Sequence, residues 1–118
     1  MDSLTKLTHK LREFAQERDW EQFHAPKNLA MALIVEAAEL VEHFQWLTPE
    51  QSYKLDAAKL EEVRQEIGDV LIYLTRIADR LGIDPVDAAY DKMAINAAKY
   101  PANIAFGSAA KSTKLTKP

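Results

Sequence analysis

The 118-residue sequence contains no cysteine. Disulfides and thiolate metal sites are therefore excluded, and a reducing, cytoplasmic setting is the expected one. Glycine is nearly absent, at three residues. The internal prolines, Pro26, Pro49, Pro85 and Pro101, fall at intervals that leave long stretches free to be helical. No run reaches the roughly 20 apolar residues that span a bilayer. Met1 to Lys6 lead straight into an amphipathic pattern with no apolar signal-peptide core, so no membrane partner is expected. The formal charge of −3 gives no general attraction to a nucleic acid polymer. Histidine is also scarce, with His9, His24 and His43 alone. There is no His-Glu-x-x-His of a zinc hydrolase, and no long helical segment carries the Glu-x-x-His of a di-iron bundle.

What the sequence does contain is helical periodicity and no strand pattern. Leu4, Leu7, Leu11 and Phe14 predict a first helix from about Ser3 to Arg18. An aromatic-rich connector, Asp19 to Pro26, follows. A second helix is expected from Lys27 to about Trp46. Thr48-Pro49-Glu50-Gln51 reads as a capping box with proline in the first turn. A third long helix is predicted over Ala57 to Leu81. Its apolar stripe is Leu60, Val63, Ile67, Val70, Leu74, Ile77 and Leu81, and Gly82 ends it. Asp84 and Pro85 open a last helix that reaches about Lys99, stopped by Pro101. The expected fold class is all-α, an antiparallel bundle of about four main helices. Its domain spans residues 1–106, and a Ser/Thr/Lys-rich, mobile tail follows over 107–118.

Two of these helices carry paired acids three residues apart. Glu36 and Glu39 lie in one, Glu66 and Asp69 in the other, and each pair shares a helix face beside apolar residues. Ordinary solvated acids are often answered by a base at i+4, but only His43 stands three or four places C-terminal to any of the four. Four converging carboxylates repel one another and resist dehydration, and a divalent cation relieves both. All-oxygen ligands suit a hard ion, Mg2+ or alternatively Mn2+, and such sites commonly bind substrate phosphates. Extended along the helices, the stripes become Asn28, Ala32, Glu36, Glu39, His43, Trp46 and Glu62, Glu66, Asp69, Tyr73. Lys92, Asn96 and Lys99 form one basic and polar face of the last helix, with Tyr100 just beyond, and suit a polyphosphate. Trp20, His24, Trp46 and Tyr73 can stack on or hydrogen-bond a base, although each taken singly also fits core packing.

Glu36-x-x-Glu39 followed by Glu66-x-x-Asp69 resembles the MazG-like all-α nucleoside triphosphate pyrophosphohydrolases. Glu17 to His24, Pro26-x-Asn28-Leu29, Phe44-Gln45-Trp46, Asp69 to Leu74, Lys92-Met93, Asn96 and Tyr100-Pro101 are similar to the dCTP pyrophosphatase branch. The resemblance covers about Leu4 to Phe106. It implies cleavage of dCTP, or a modified dCTP, between the α and β phosphates, giving dCMP and pyrophosphate in nucleotide-pool house-cleaning. It implies magnesium on Glu36, Glu39, Glu66 and Asp69, with Glu36 or Glu39 activating water. Trp20, His24, Asn28, Trp46 and Tyr73 would border the nucleoside, and Lys92, Asn96, Lys99 and Tyr100 the phosphates. It further implies a homo-oligomer, a tetramer with sites between subunits. Vertebrate members of that branch carry His where this chain has Leu11. The competing expectations are a pyrophosphohydrolase acting on dUTP or oxidised nucleotides, and a non-enzymatic helical dimerisation or adaptor module.

Overall fold

The computed structural model describes residues 1–111 and 113; the rest of the expected tail, 112 and 114–118, lies outside the described residues. These residues include six α-helices and a short 3₁₀ turn at Glu21–Phe23, and no strand occurs among them. The all-α expectation therefore holds. The chain divides into two compact units, Met1–Ile83 and Asp84–Pro118.

In the first unit the helices are α1 (Ser3–Glu17), α2 (Pro26–Glu42), α3 (Pro49–Ser52) and α4 (Ala57–Arg80), with the 3₁₀ turn at Glu21–Phe23. Side-chain caps explain where α1, α3 and α4 begin, while α2 opens on Pro26 without one. Asp2 accepts from the Thr5 N–H at 2.7 Å and Asp56 from the Lys59 N–H at 2.8 Å, each satisfying a donor that the first turn leaves free. The Thr48–Gln51 capping box forms reciprocally, at 3.2 Å and 2.9 Å. Gly82, with φ of +68°, lets the backbone turn left-handed after α4.

Helix α4 is the centre of this unit and packs against both α1 and α2. Its partnership with α2 is antiparallel: Lys59, near the start of α4, reaches His43, just past the end of α2, at 3.3 Å. Among the described residues the buried apolar ones are few: Ala15, Leu29, Val63 and Ala78. The predicted stripe of α4 is split lengthwise. Val63, Val70 and Ile77 turn inward, whereas Leu60, Ile67, Leu74 and Leu81 are exposed. Met31, Ile34, Val35 and Val41 of α2 are exposed as well. A stripe alternating by three and four covers more helix surface than one neighbour can bury.

Helix α1 runs to Glu17 with Arg18 as its cap, as its spacing predicts. One predicted boundary needs correction. Helix α2 stops at Glu42 and not near Trp46. The backbone bonds tighten there to i→i−3, from His43 to Leu40 and from Phe44 to Val41, so the following residues form turns.

In the second unit, α5 (Pro85–Lys99) is capped by Asp84, whose carboxylate accepts from the Val86 and Asp87 N–H groups at 2.9 Å and 3.1 Å. A short α6 (Ala102–Ala105) follows. Among the described residues no helix is long and apolar enough to cross a membrane.

Leu29 is 2% exposed, so Leu29→Ala should lower unfolding free energy by about 2–5 kcal/mol. Thr48→Ala, which removes only a cap, should cost about 1 kcal/mol. Chemical denaturation of both variants checks the ranking.

Candidate functional site

Antiparallel packing of α2 on α4 brings the first acid pair and Glu66 of the second to one level of the seam. Glu36 and Glu39 are one turn apart on α2, and Glu66 faces them from α4. One carboxylate oxygen from each of the three lies within 4.8 Å of the others. All three side chains are half-buried. One oxygen of Glu36 and one of Glu66 are fully enclosed without a hydrogen-bond partner. Buried polar atoms are seldom left so, and a buried acceptor in an all-acid cluster calls for a cation or a proton.

The electrostatics agree. Burial, followed by the closeness of Glu66 and Glu39 and the charges of Glu39 and Asp69, pushes the Glu36 carboxyl up to about 7. Glu66 is also raised, again first by burial. Oxygens on opposite sides of a magnesium ion stand about 4.2 Å apart, twice its bond length. Three carboxylates this close therefore fit one hard divalent ion. Asp69, the fourth expected ligand, stands outside this tight cluster, one turn beyond Glu66 and half-buried. Its charge still reaches both raised acids. Between Glu66 and Asp69 sits Gly68, where an added Cβ would meet nothing within 4 Å.

The other expected site residues are placed less uniformly. Trp20 is exposed and meets Phe14 edge-on, with ring centroids 5.7 Å apart. It follows Asp19, whose φ of 53° makes the sharp exit from α1. Asn28 is exposed and its amide donates to the Phe23 carbonyl at 3.2 Å, tying the 3₁₀ turn to α2. Trp46 is 87% exposed and lies beyond the helix, so the stripe expected to carry it past His43 is broken. Tyr73 is half-buried on α4, on the acid side of the helix as the spacing requires. Lys92, Asn96 and Lys99 are exposed on α5, and the Tyr100 N–H donates to the Asn96 carbonyl at 2.8 Å.

His24 is held by a group that sequence reasoning missed. Arg76, 2% exposed, donates from Nε to His24 Nδ1 at 3.4 Å and from Nη1 to Asp79 at 3.2 Å. Arg12 of α1 forks onto the same Asp79 carboxylate, at 2.8 Å and 2.5 Å. The Arg12 guanidinium holds the Asp79 carboxyl below its ordinary value. The i,i+3 spacing of Arg76 and Asp79 was the one signal available in the sequence. A second missed contact is the Lys59–Glu62 pair at 3.1 Å, beside His43.

The raised Glu36 has a consequence for stability. Without divalent ions, the folded protein keeps a proton on Glu36 that the unfolded chain releases near its ordinary value of 4.5. The folded state then binds more protons between about 4.5 and about 7, so stability must fall as pH rises through that window. Chelator-treated protein should melt higher at about pH 5.5 than at about pH 8. Glu36→Gln should flatten that slope and raise the melting temperature at the higher pH, as calorimetry can measure.

The MazG-like family model matches residues 31–115, a range that contains all four paired acids. Human dCTP pyrophosphatase 1 is 47% identical over 108 aligned residues, covering 87% of this chain and 62% of the human protein. The rat protein of the same name is 44% identical over 110, covering 89% and 63%. This chain thus spans a little under two thirds of the length of these curated relatives. A crystal structure described as a pyrophosphatase from Archaeoglobus fulgidus superimposes with a TM-score of 0.80 at 40% identity, covering 86% of this chain and 94% of that one. With its acid seam inside the matched range and its fold shared at that identity, the chain belongs to the MazG-like family.

Proposed function

We propose that this chain is a magnesium-dependent nucleoside triphosphate pyrophosphohydrolase that converts dCTP, or a modified dCTP, and water to dCMP and pyrophosphate. The observation that carries the reading is the carboxylate cluster of Glu36, Glu39 and Glu66, with its two enclosed, unpartnered oxygens. The similarity to the mammalian dCTP pyrophosphatases supports the substrate. A house-cleaning role in the cytoplasm suits a cysteine-free chain.

Glu36, Glu39 and Glu66 are the proposed ligands, with Asp69 completing the set from the next turn of α4. Magnesium (or manganese) held there would neutralise phosphate charge and lower the pKa of a water. Glu36 or Glu39 orients the attacking water and accepts its proton. The water oxygen bonds to the α-phosphorus, and the bond to the bridging oxygen breaks so that pyrophosphate leaves. Trp20, His24, Asn28, Trp46 and Tyr73 take the nucleoside, and Lys92, Asn96, Lys99 and Tyr100 take phosphate charge. Residues 1–106 act as the enzymatic module and 107–118 as its tail. The working assembly is a homo-oligomer, a tetramer by the family resemblance. The exposed apolar rows Met31, Ile34, Val35 on α2 and Ile67, Leu71, Leu74 on α4 support it, because such rows normally find a partner.

A panel of triphosphates incubated with the protein and magnesium tests this reading. dCTP or a modified dCTP should release pyrophosphate fastest. Glu39→Gln should reduce turnover by at least about 100-fold, beyond what loss of a merely supporting residue costs a metal site. Magnesium at about 100 times its Kd should stabilise the native protein by about 2.7 kcal/mol. If no triphosphate yields pyrophosphate, the chain returns to the class of helical dimerisation modules.

A further inference from the structure

Arg76 is a charged side chain enclosed almost completely in the last turns of α4. Burying a guanidinium is costly, and its contacts show where it is directed. Asp79 takes one arm, at 3.2 Å. Asp79 is itself pinned by the two-pronged contact with Arg12, so it cannot swing away. The Nε–H is left aimed at His24 Nδ1 at 3.4 Å. Next to it, Arg80 donates from Nε to the His24 carbonyl at 3.2 Å. The His24 N–H donates to the Glu21 carbonyl at 3.1 Å. Backbone and ring of this one histidine are thus both fixed.

The chemistry of that contact is one-sided. A guanidinium can only donate. The ring nitrogen facing it must therefore present a lone pair, and a neutral imidazole then carries its proton on the other nitrogen. Protonation of the ring would set a second N–H against the Arg76 N–H. Burial and the nearby charges of Arg76 and Arg80 also disfavour it, against a weaker opposing pull from Glu21.

We propose that Arg76 is a positioning residue, held by Asp79 and Arg12, that fixes His24 as the neutral imidazole with its proton on Nε2. His24 then meets the nucleoside as a hydrogen-bond donor and not as a base. The atom it recognises is an acceptor, a ring carbonyl or a sugar oxygen. The nucleoside contact rests on the function proposed above; the fixed tautomer does not.

The two halves can be tested apart. With only three histidines in the chain, imidazole nitrogen signals of isotopically labelled protein can be assigned through His24→Gln. The native protein should show the His24 proton on Nε2 well below neutral pH. Arg76→Met should mix the two tautomers and raise the His24 titration midpoint. It should also raise KM for dCTP about three- to tenfold with little change in kcat, the scale of one hydrogen bond. A proton on Nδ1 in the native protein overturns the proposal without any variant. So does a tautomer ratio that survives Arg76→Met, or an unmoved KM in an enzyme that hydrolyses dCTP. If dCTP is not hydrolysed at all, the functional reading fails, while the imidazole spectrum still decides the role of Arg76.

Discussion

The meeting of like charges across the α2–α4 seam is the constraint on which the site depends. Carboxylates in water keep apart. Here the apolar residues around them fix the helices at a distance that leaves Glu36, Glu39 and Glu66 no such freedom. The work of holding them comes from Leu29, Val63 and the rest of a small core. Without an ion, the arrangement costs stability, shared between a proton on Glu36 and two unsatisfied oxygens. Anything that binds there releases that cost, so ligand affinity and folding stability are linked through the same few atoms.

Much of this was legible in the sequence because it is local. Thr48 with Gln51, Asp84 with Pro85 and Gly82 each announce an end by chemistry contained within four residues. The acid pairs could be placed on one helix face from their spacing alone. Periodicity could not tell which half of the α4 stripe meets its own chain. Val63 and Ile67 look alike as letters, yet one is enclosed and the other open. Nor could it show that α2 would unwind after Glu42, which removes Trp46 from the stripe. The network around His24 was invisible for a different reason: Arg12 and Asp79 lie 67 positions apart, and only the packing of α1 on α4 joins them.

Helix α4 carries two distinct chemistries. Its middle holds the acids, and its last turns hold Arg76, Asp79 and Arg80. Asp69 and Arg76 are seven residues apart, about 10.5 Å along the axis. One continuous helix fixes the spacing between these acids and Arg76.

Gly68 offers an experimental handle. A helix interior normally gains from alanine over glycine, and the open space beside Gly68 imposes no steric demand for the bare position. Because the chain has no native sulfhydryl, a cysteine introduced at this point would be unique. A fluorophore or spin label attached to it would sit within a turn of both Glu66 and Asp69. Such a reporter would register any change in the surroundings of the carboxylate cluster.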